Sequence, residues 1–228
     1  MNHYKALFFD IDDTLFDYGK CSETALKNTC RRMGHPFSKQ LLLFYRQLDD
    51  ALWTLQKQGQ LTIPQVIRKR GFGMAEKMGD LNSNPNAAEK FIEIFGDELG
   101  NTFDLVDGAH ELLEYASHKG YALFCASNGV KSMQINRLKQ AGLLHYFQYV
   151  FVSDEVGFEK PDSHFFDHCL NGSGYTKQEA LMIGDSLTAD IQGAINAGWE
   201  ACFFNRRNIT PPVACLQIRR LMELKAIF

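Results

Sequence analysis

The sequence predicts an α/β protein: a doubly wound, Rossmann-like parallel sheet with an all-helical insertion. Three observations carry this prediction. Five apolar runs, "ALFF" (6–9), "YALFCA" (121–126), "YVFV" (149–152), "ALMI" (180–183) and "ACFF" (201–204), are short and nearly continuous, as strands buried on both faces are. Helix-like segments separate the last four runs, the alternation that builds a parallel sheet with helices on both faces. Between about residues 18 and 97 there is no convincing strand, only helical spacing.

The length of 228 residues exceeds one small domain and falls short of two typical ones. The expected division is therefore a Rossmann-like core of residues 1–17 and 98–228, with residues 18–97 inserted after the first strand. In the insertion, "SETALKNTCRRMG", "SKQLLLFYRQLDDALWTLQKQG", "TIPQVIRKRGFGMAEKMG" and "NPNAAEKFIEIFGDELG" have helical spacing. Ser38 and Thr62 are suited to N-caps, with Pro64 tolerated in a first turn. "DLNSNPN" (80–86) reads as a loop. The sheet is expected to resume near Leu105. Asp107 is placed to cap a helix running to Lys119, which Gly120 stops. A further helix runs from about Lys131 to Ala141 and ends at Gly142. Asp162 caps "SHFFDHCL", and Thr176 with Glu179 has capping-box spacing ahead of a strand-like run. "TADIQGAINAG" (188–198) reads as a helix that Gly198 stops.

Composition excludes several classes. A formal net charge of -3 gives no electrostatic reason to bind nucleic acid or an anionic membrane. The apolar runs are strand-sized, far short of the roughly 20 residues of a membrane span. The chain enters its first apolar run almost at once, so no signal peptide is expected. The six cysteines, Cys21, Cys30, Cys125, Cys169, Cys202 and Cys215, form no CxxC pair, which points to reduced, packed thiols and a cytoplasmic setting. The sequons at Asn171 and Asn208 then carry no meaning. The oligomeric state is left open.

The chemistry sits where strands end, since open α/β sheets bind ligands beyond the carboxyl ends of their strands. After "ALFF" comes Asp10-Ile11-Asp12-Asp13-Thr14; after "YALFCA" comes Ser127-Asn128-Gly129. Lys160, in "GFEKPD", follows "YVFV", and "ALMI" leads into "GDSLTAD" with Asp185 and Asp190. Carboxylates gathered at one sheet edge repel one another, by about 4 kcal/mol per pair at 4 Å for an effective dielectric near 20. One lysine cannot offset several such pairs. A hard divalent cation with oxygen ligands can, and Mg²⁺ is the usual choice beside phosphate. The Ser127 hydroxyl, Asn128 and nearby backbone N–H groups are then placed to hold phosphate oxygens, while Lys160 neutralises the phosphate and anchors the attacking group. Asp10 is the best-placed nucleophile for an aspartyl phosphate. Asp12 is expected to protonate the leaving oxygen and later deprotonate water, which requires burial and neighbouring carboxylates around it. Asp13 is expected to point away.

These four segments resemble the signature of the haloacid dehalogenase superfamily of phosphohydrolases. "DIDDTL" looks like its DxDx[TV] motif; Ser127 stands where the second motif has Ser or Thr; Lys160 in "GFEKPD" matches the third; "GDSLTAD" matches GDxxxxD. The resemblance implies Mg²⁺ held by Asp10, the backbone carbonyl of Asp12, and Asp185, with Asp190 supporting a metal-bound water or Lys160. It also implies that the helical insertion is a cap. "FFDIDDTLFD", "GFEKPD" and "GDSLTADI" are further similar to the YjjG-like nucleotidases, which act on pyrimidine and noncanonical nucleoside monophosphates. Ser163, after "KPD", stands where relatives often carry Pro.

The expected activity is thus a Mg²⁺-dependent phosphomonoesterase acting on a small phosphorylated metabolite, foremost a nucleoside 5′-monophosphate. A phosphatase for a sugar phosphate or phosphoglycolate, a β-phosphoglucomutase-like transferase and a 2-haloacid dehalogenase are the alternatives; Asp12 and the acidic cluster weigh against the last. A phospho-receiver module also gathers acids, a hydroxyl and a lysine at sheet ends, but its lysine usually comes last, whereas Lys160 precedes Asp185. Other motifs read as structural. His164 and His168 lack the glutamate and third ligand of a zinc site. "RKR" (68–70) reads as a solvated helix face, and "GFG" (71–73) lacks a strand before it. Phe44, Tyr45, Phe72, Phe91 and Phe95 read as core of the insertion, as does Trp53 unless it stacks on a base.

Overall fold

A computed structural model describes residues 3–79, 84–206 and 208–227. The chain forms two compact units, one of Met1–Tyr18 with Phe103–Phe228 and one of Gly19–Thr102.

In the first unit, β1 (Ala6–Phe9) leads to a sheet completed by β2 (Ala122–Ser127), β3 (Tyr149–Val152), β4 (Ala180–Gly184), β5 (Glu200–Phe204) and β6 (Leu216–Ile218). All neighbours pair in parallel, in the order β3-β2-β1-β4-β5-β6. That order puts β1 at the switch point, where crossovers change direction and a crevice opens beyond the strand ends. In register, Phe8 pairs with Phe124 on one side and with Met182 on the other. Both faces of β1, β2 and β4 are buried, which is why their sequences do not alternate. On one face, Phe8 stacks on Phe124 at 4.8 Å and meets the Trp199 edge at 4.7 Å. Phe151, Phe165, Phe166 and Met182 complete that core.

Helices α1 (Tyr18–Met33), α2 (Lys39–Lys57), α3 (Ile63–Met78) and α4 (Ala87–Gly100) follow β1. The Ser38 side chain accepts from the Leu41 N–H, and the Thr62 N–H donates to Gln65 Oε1, so both expected caps form. Tyr45, Phe91 and Phe95 pack as the core of this unit. Phe72 lies outside that core at 37% exposure. The "RKR" reading needs correction: Arg70 is buried and pairs with Asp49 at 2.8 Å, its guanidinium 5.0 Å from the Phe95 ring. Residues 80–83 of the expected loop lie outside the described residues; 84–86 are irregular.

Helices α5 (Ala109–His118), α6 (Lys131–Gln140), α7 (Ser153–Val156), α8 (Ser163–Ser173) and α9 (Gly193–Asn196) complete the first unit. Leu105 does not resume the sheet; it makes one antiparallel bridge to Phe16. Nor does Asp107 cap α5. Gly108 does, at φ 81°, a left-handed conformation that glycine adopts without cost. Asp162 caps α8 by accepting from the His164 N–H, and Thr176 and Glu179 form the expected box on a single 3₁₀ turn. Residues Leu187–Gln192 form a π-helix that leads into α9. All six cysteines are free thiols. No helix among the described residues is long and apolar enough to cross a membrane.

Candidate active site

The site forms where β1, β2 and β4 end. Asp10 extends β1 by one ladder bond, its N–H donating to the Ile183 carbonyl at 2.9 Å. The chain then curls. The Leu15 and Phe16 N–H groups both reach the Ile11 carbonyl, and Asp13 takes the left-handed conformation, φ 60°, which aspartate tolerates better than most residues. Asp13 points to Arg206, at 3.6 Å, and Asp17 joins the same guanidinium at 3.0 Å.

Lys160 is the centre of the site. Its side chain is 1% exposed, and Nζ donates to Asp10 Oδ1 at 2.8 Å, Asp190 Oδ1 at 2.6 Å and the Ala126 carbonyl at 2.6 Å. All three ammonium donors are thereby used. Oxygens of Asp10, Asp185 and Asp190 lie within 4.8 Å of one another. Both Asp190 oxygens already hold a donor, Oδ2 accepting the Ser186 N–H at 2.9 Å and Oδ1 accepting Lys160 Nζ. Gly184 is required beside it, because a β-carbon there would overlap the Asp190 carboxylate.

Several negative charges around one ammonium raise both partners. Burial pushes the Asp10 carboxyl up to about 7; Lys160 pulls it down, and the charges of Asp190 and Asp12 add to the rise. Burial pulls Lys160 down, but Asp10 and Asp190 outweigh it and hold the ammonium above the usual lysine range. The site thus carries surplus negative charge in a desolvated place, as a cation site does.

Ser127 is buried at the end of β2. Asn128 differs from expectation: its side chain accepts from the Lys160 N–H and donates to the Lys160 carbonyl, both at 2.8 Å. This reciprocal amide pair makes Asn128 a positioning residue for Lys160. With its side chain so engaged, Asn128 has its backbone N–H left to offer a phosphate.

Asp12 is also differently placed. Its carboxylate, 31% exposed, is not hemmed in by carboxylates alone. Arg137 Nη1 donates to Oδ1 at 2.6 Å and Gln134 Nε2 to Oδ2 at 2.8 Å. Neither α6 residue is prominent in the sequence. One signal was available: Gln134, Arg137 and Leu138 fall on one helix face at i, i+3 and i+4, so two polar residues interrupt a face expected to be apolar. The two histidines hold no common ligand: His164 bonds Asp162 and stacks on Phe158, while His168 meets the Phe151 ring.

A family model for haloacid dehalogenase-like hydrolases matches residues 7–204. The chain is 31% identical to the pyrimidine 5′-nucleotidase PynA of Streptococcus pneumoniae, over 90% of this chain and 86% of the relative. It is also 31% identical to the pyrimidine 5′-nucleotidase YjjG of Escherichia coli, over 90% and 88%. The crystal structure of YfnB from Bacillus subtilis bound to magnesium superposes with a TM-score of 0.89 at 28% identity, covering 98% of each chain. With the strand-end motifs in the expected order along one sheet edge, these matches show that the chain belongs to the haloacid dehalogenase-like hydrolase family.

Proposed function

We propose that the protein is a Mg²⁺-dependent phosphomonoesterase that hydrolyses nucleoside 5′-monophosphates, pyrimidine nucleotides foremost, through an aspartyl phosphate. The carrying observation is the Lys160 centre: a buried ammonium fixing the Asp10 carboxylate within a surplus of acid. Two pyrimidine nucleotidases among the relatives support the substrate class. The helical unit is the family's cap in this reading.

The donor set fits magnesium. Every candidate side-chain ligand is a carboxylate oxygen, as a hard cation requires. With Asp190 holding Lys160 and the Ser186 N–H, the groups that would hold the ion in the family's pattern are Asp10, Asp185 and the Asp12 backbone carbonyl. Bound there, the ion neutralises the carboxylates and stabilises charge on the transferring phosphoryl group.

Asp10 attacks phosphorus, and the bond from phosphorus to the ester oxygen breaks. The leaving oxygen takes a proton from the Asp12 carboxyl. A water then attacks the phosphoryl group of the aspartyl phosphate and gives its proton to the Asp12 carboxylate. The bond from Asp10 to phosphorus breaks, which releases inorganic phosphate and regenerates Asp10. Lys160 keeps the Asp10 carboxylate oriented throughout, and the Ser127 hydroxyl holds a phosphate oxygen.

A phosphate-release screen across nucleoside monophosphates, sugar phosphates and phosphoglycolate tests the substrate class. Pyrimidine monophosphates are expected to give the highest kcat/KM, and a sugar phosphate preferred over every nucleotide would overturn the assignment. Isomerised sugar phosphate without free phosphate would indicate a mutase.

The metal proposal predicts a pH-dependent thermal shift. Asp10 has a folded value of about 7, above its unfolded one, so its contribution to stability is intact below roughly pH 4 and lost as pH rises through 7. Magnesium needs the ionised form and stabilises by mass action. The gain in Tm on replacing a chelator with Mg²⁺ is therefore expected to be larger near about pH 8 than near about pH 5. Equal gains, or none, in a thermal-melt series would count against a metal held at Asp10.

A further inference from the structure

We propose that Arg137 and Gln134 of α6 are positioning residues that fix the Asp12 carboxylate for its two proton transfers. The inference rests on the phosphomonoesterase reading above and extends it to residues outside the four motifs.

Arg137 is wholly buried. Besides its 2.6 Å bond to Asp12 Oδ1, its Nη1 donates to Gln134 Oε1 at 3.0 Å, and its guanidinium lies 4.5 Å from the centroid of the Phe16 ring. Gln134 Nε2 holds Asp12 Oδ2 at 2.8 Å and reaches Ser127 Oγ at 3.4 Å. Each oxygen of Asp12 therefore has its own donor, and rotation about the carboxylate axis is blocked. Each also keeps a second lone pair for proton exchange. The same glutamine ties Asp12, on the loop after β1, to Ser127, at the end of β2.

A purely structural role explains this poorly. Burying a guanidinium carries a large desolvation cost, which a partly exposed carboxylate offsets only in part, and an apolar side chain of similar size is often as stable. Asp12 is 31% exposed. What the arrangement achieves is orientation. A proton donor misplaced by about 1 Å can cost about 100-fold in rate.

The test compares Arg137→Met, Arg137→Lys and Gln134→Met with the wild type on uridine 5′-monophosphate and p-nitrophenyl phosphate. The nucleoside alkoxide needs a proton to leave; p-nitrophenolate does not. Arg137→Met is expected to lower kcat on the nucleotide about 100-fold, with KM within about twofold. On p-nitrophenyl phosphate it should release one equivalent of p-nitrophenol in a rapid burst, then turn over slowly, because attack by Asp10 survives while water activation by Asp12 does not. Gln134→Met leaves the guanidinium in place and should show the same pattern more weakly. Arg137→Lys should restore part of the rate.

Wild-type kcat in Arg137→Met overturns the inference and leaves the phosphatase reading standing. So does an equal loss on both substrates with no burst, a lowered Tm and no recovery in Arg137→Lys, which would mark a structural ion pair. A wild-type enzyme that releases phosphate from neither substrate overturns the reading and the inference together.

Discussion

Asp10→Asn is expected to abolish turnover, lowering kcat on the order of 10⁵-fold, while making the metal-free protein more stable. The two effects share one cause. Asp10 is a buried carboxylate beside Asp190, with a single ammonium between them. An asparagine can still accept from Lys160 Nζ, so the hydrogen bond that orients the side chain survives. What disappears is one negative charge in a desolvated place, together with the carboxylate proposed to attack phosphorus. Phosphate-release kinetics and a melt in chelator, run on the same preparation, check both halves. Full activity in the variant sinks the aspartyl-phosphate mechanism. A lower Tm sinks the account of the site as over-supplied with negative charge. In Mg²⁺ the stability order should reverse, since the wild type gains a neutralising ligand that the variant binds weakly.

The parts of this site legible in the sequence are those whose position follows from a strand end, and Lys160 and Asp190, which sit in the contiguous motifs "GFEKPD" and "GDSLTAD". β1 to β5 appear as apolar runs because their residues are mostly buried on both faces, and the residue after each run lands at the sheet edge without further folding information. Asp10, Ser127 and Asp185 are of this kind. β6 is not, since Leu216 and Gln217 are exposed at the sheet's margin and leave no apolar run to read. The Asp12 clamp was hidden for a different reason. Arg137 lies 125 positions from its partner, and only the packing of α6 on the sheet brings the two together. The buried Arg70–Asp49 pair was hidden likewise, its basic run looking solvated until α2 and α3 are placed side by side. Asn128 was legible in place but not in role, because its neighbours on the sheet edge, and not its type, commit it to the Lys160 backbone. Local chemistry carried by a strand end or a contiguous motif can be read from sequence, and chemistry that depends on how a distant helix packs cannot.

Lys160→Met should be the most destabilising single substitution in the site, by about 3–5 kcal/mol in chelator, and should also abolish activity. The methionine fits the space of a side chain that is 1% exposed, so little of the loss comes from packing. The loss comes from leaving the Asp10 and Asp190 carboxylates buried against each other, and the Ala126 carbonyl without its donor. If that is the cause, neutralising one acid should recover much of the stability. Lys160→Met combined with Asp190→Asn is expected to be clearly more stable than Lys160→Met alone, whereas Asp190→Asn in the wild-type background should destabilise, because Asp190 accepts Lys160 Nζ and the Ser186 N–H on different oxygens and an amide has only one. This change of sign in a double-mutant cycle, read by urea unfolding, separates charge from shape. Activity should not follow stability: the double variant stays inactive, since nothing then holds the Asp10 carboxylate toward phosphorus. A double variant no more stable than Lys160→Met would show that the ammonium is held by packing, and the electrostatic account of the centre would fall with it.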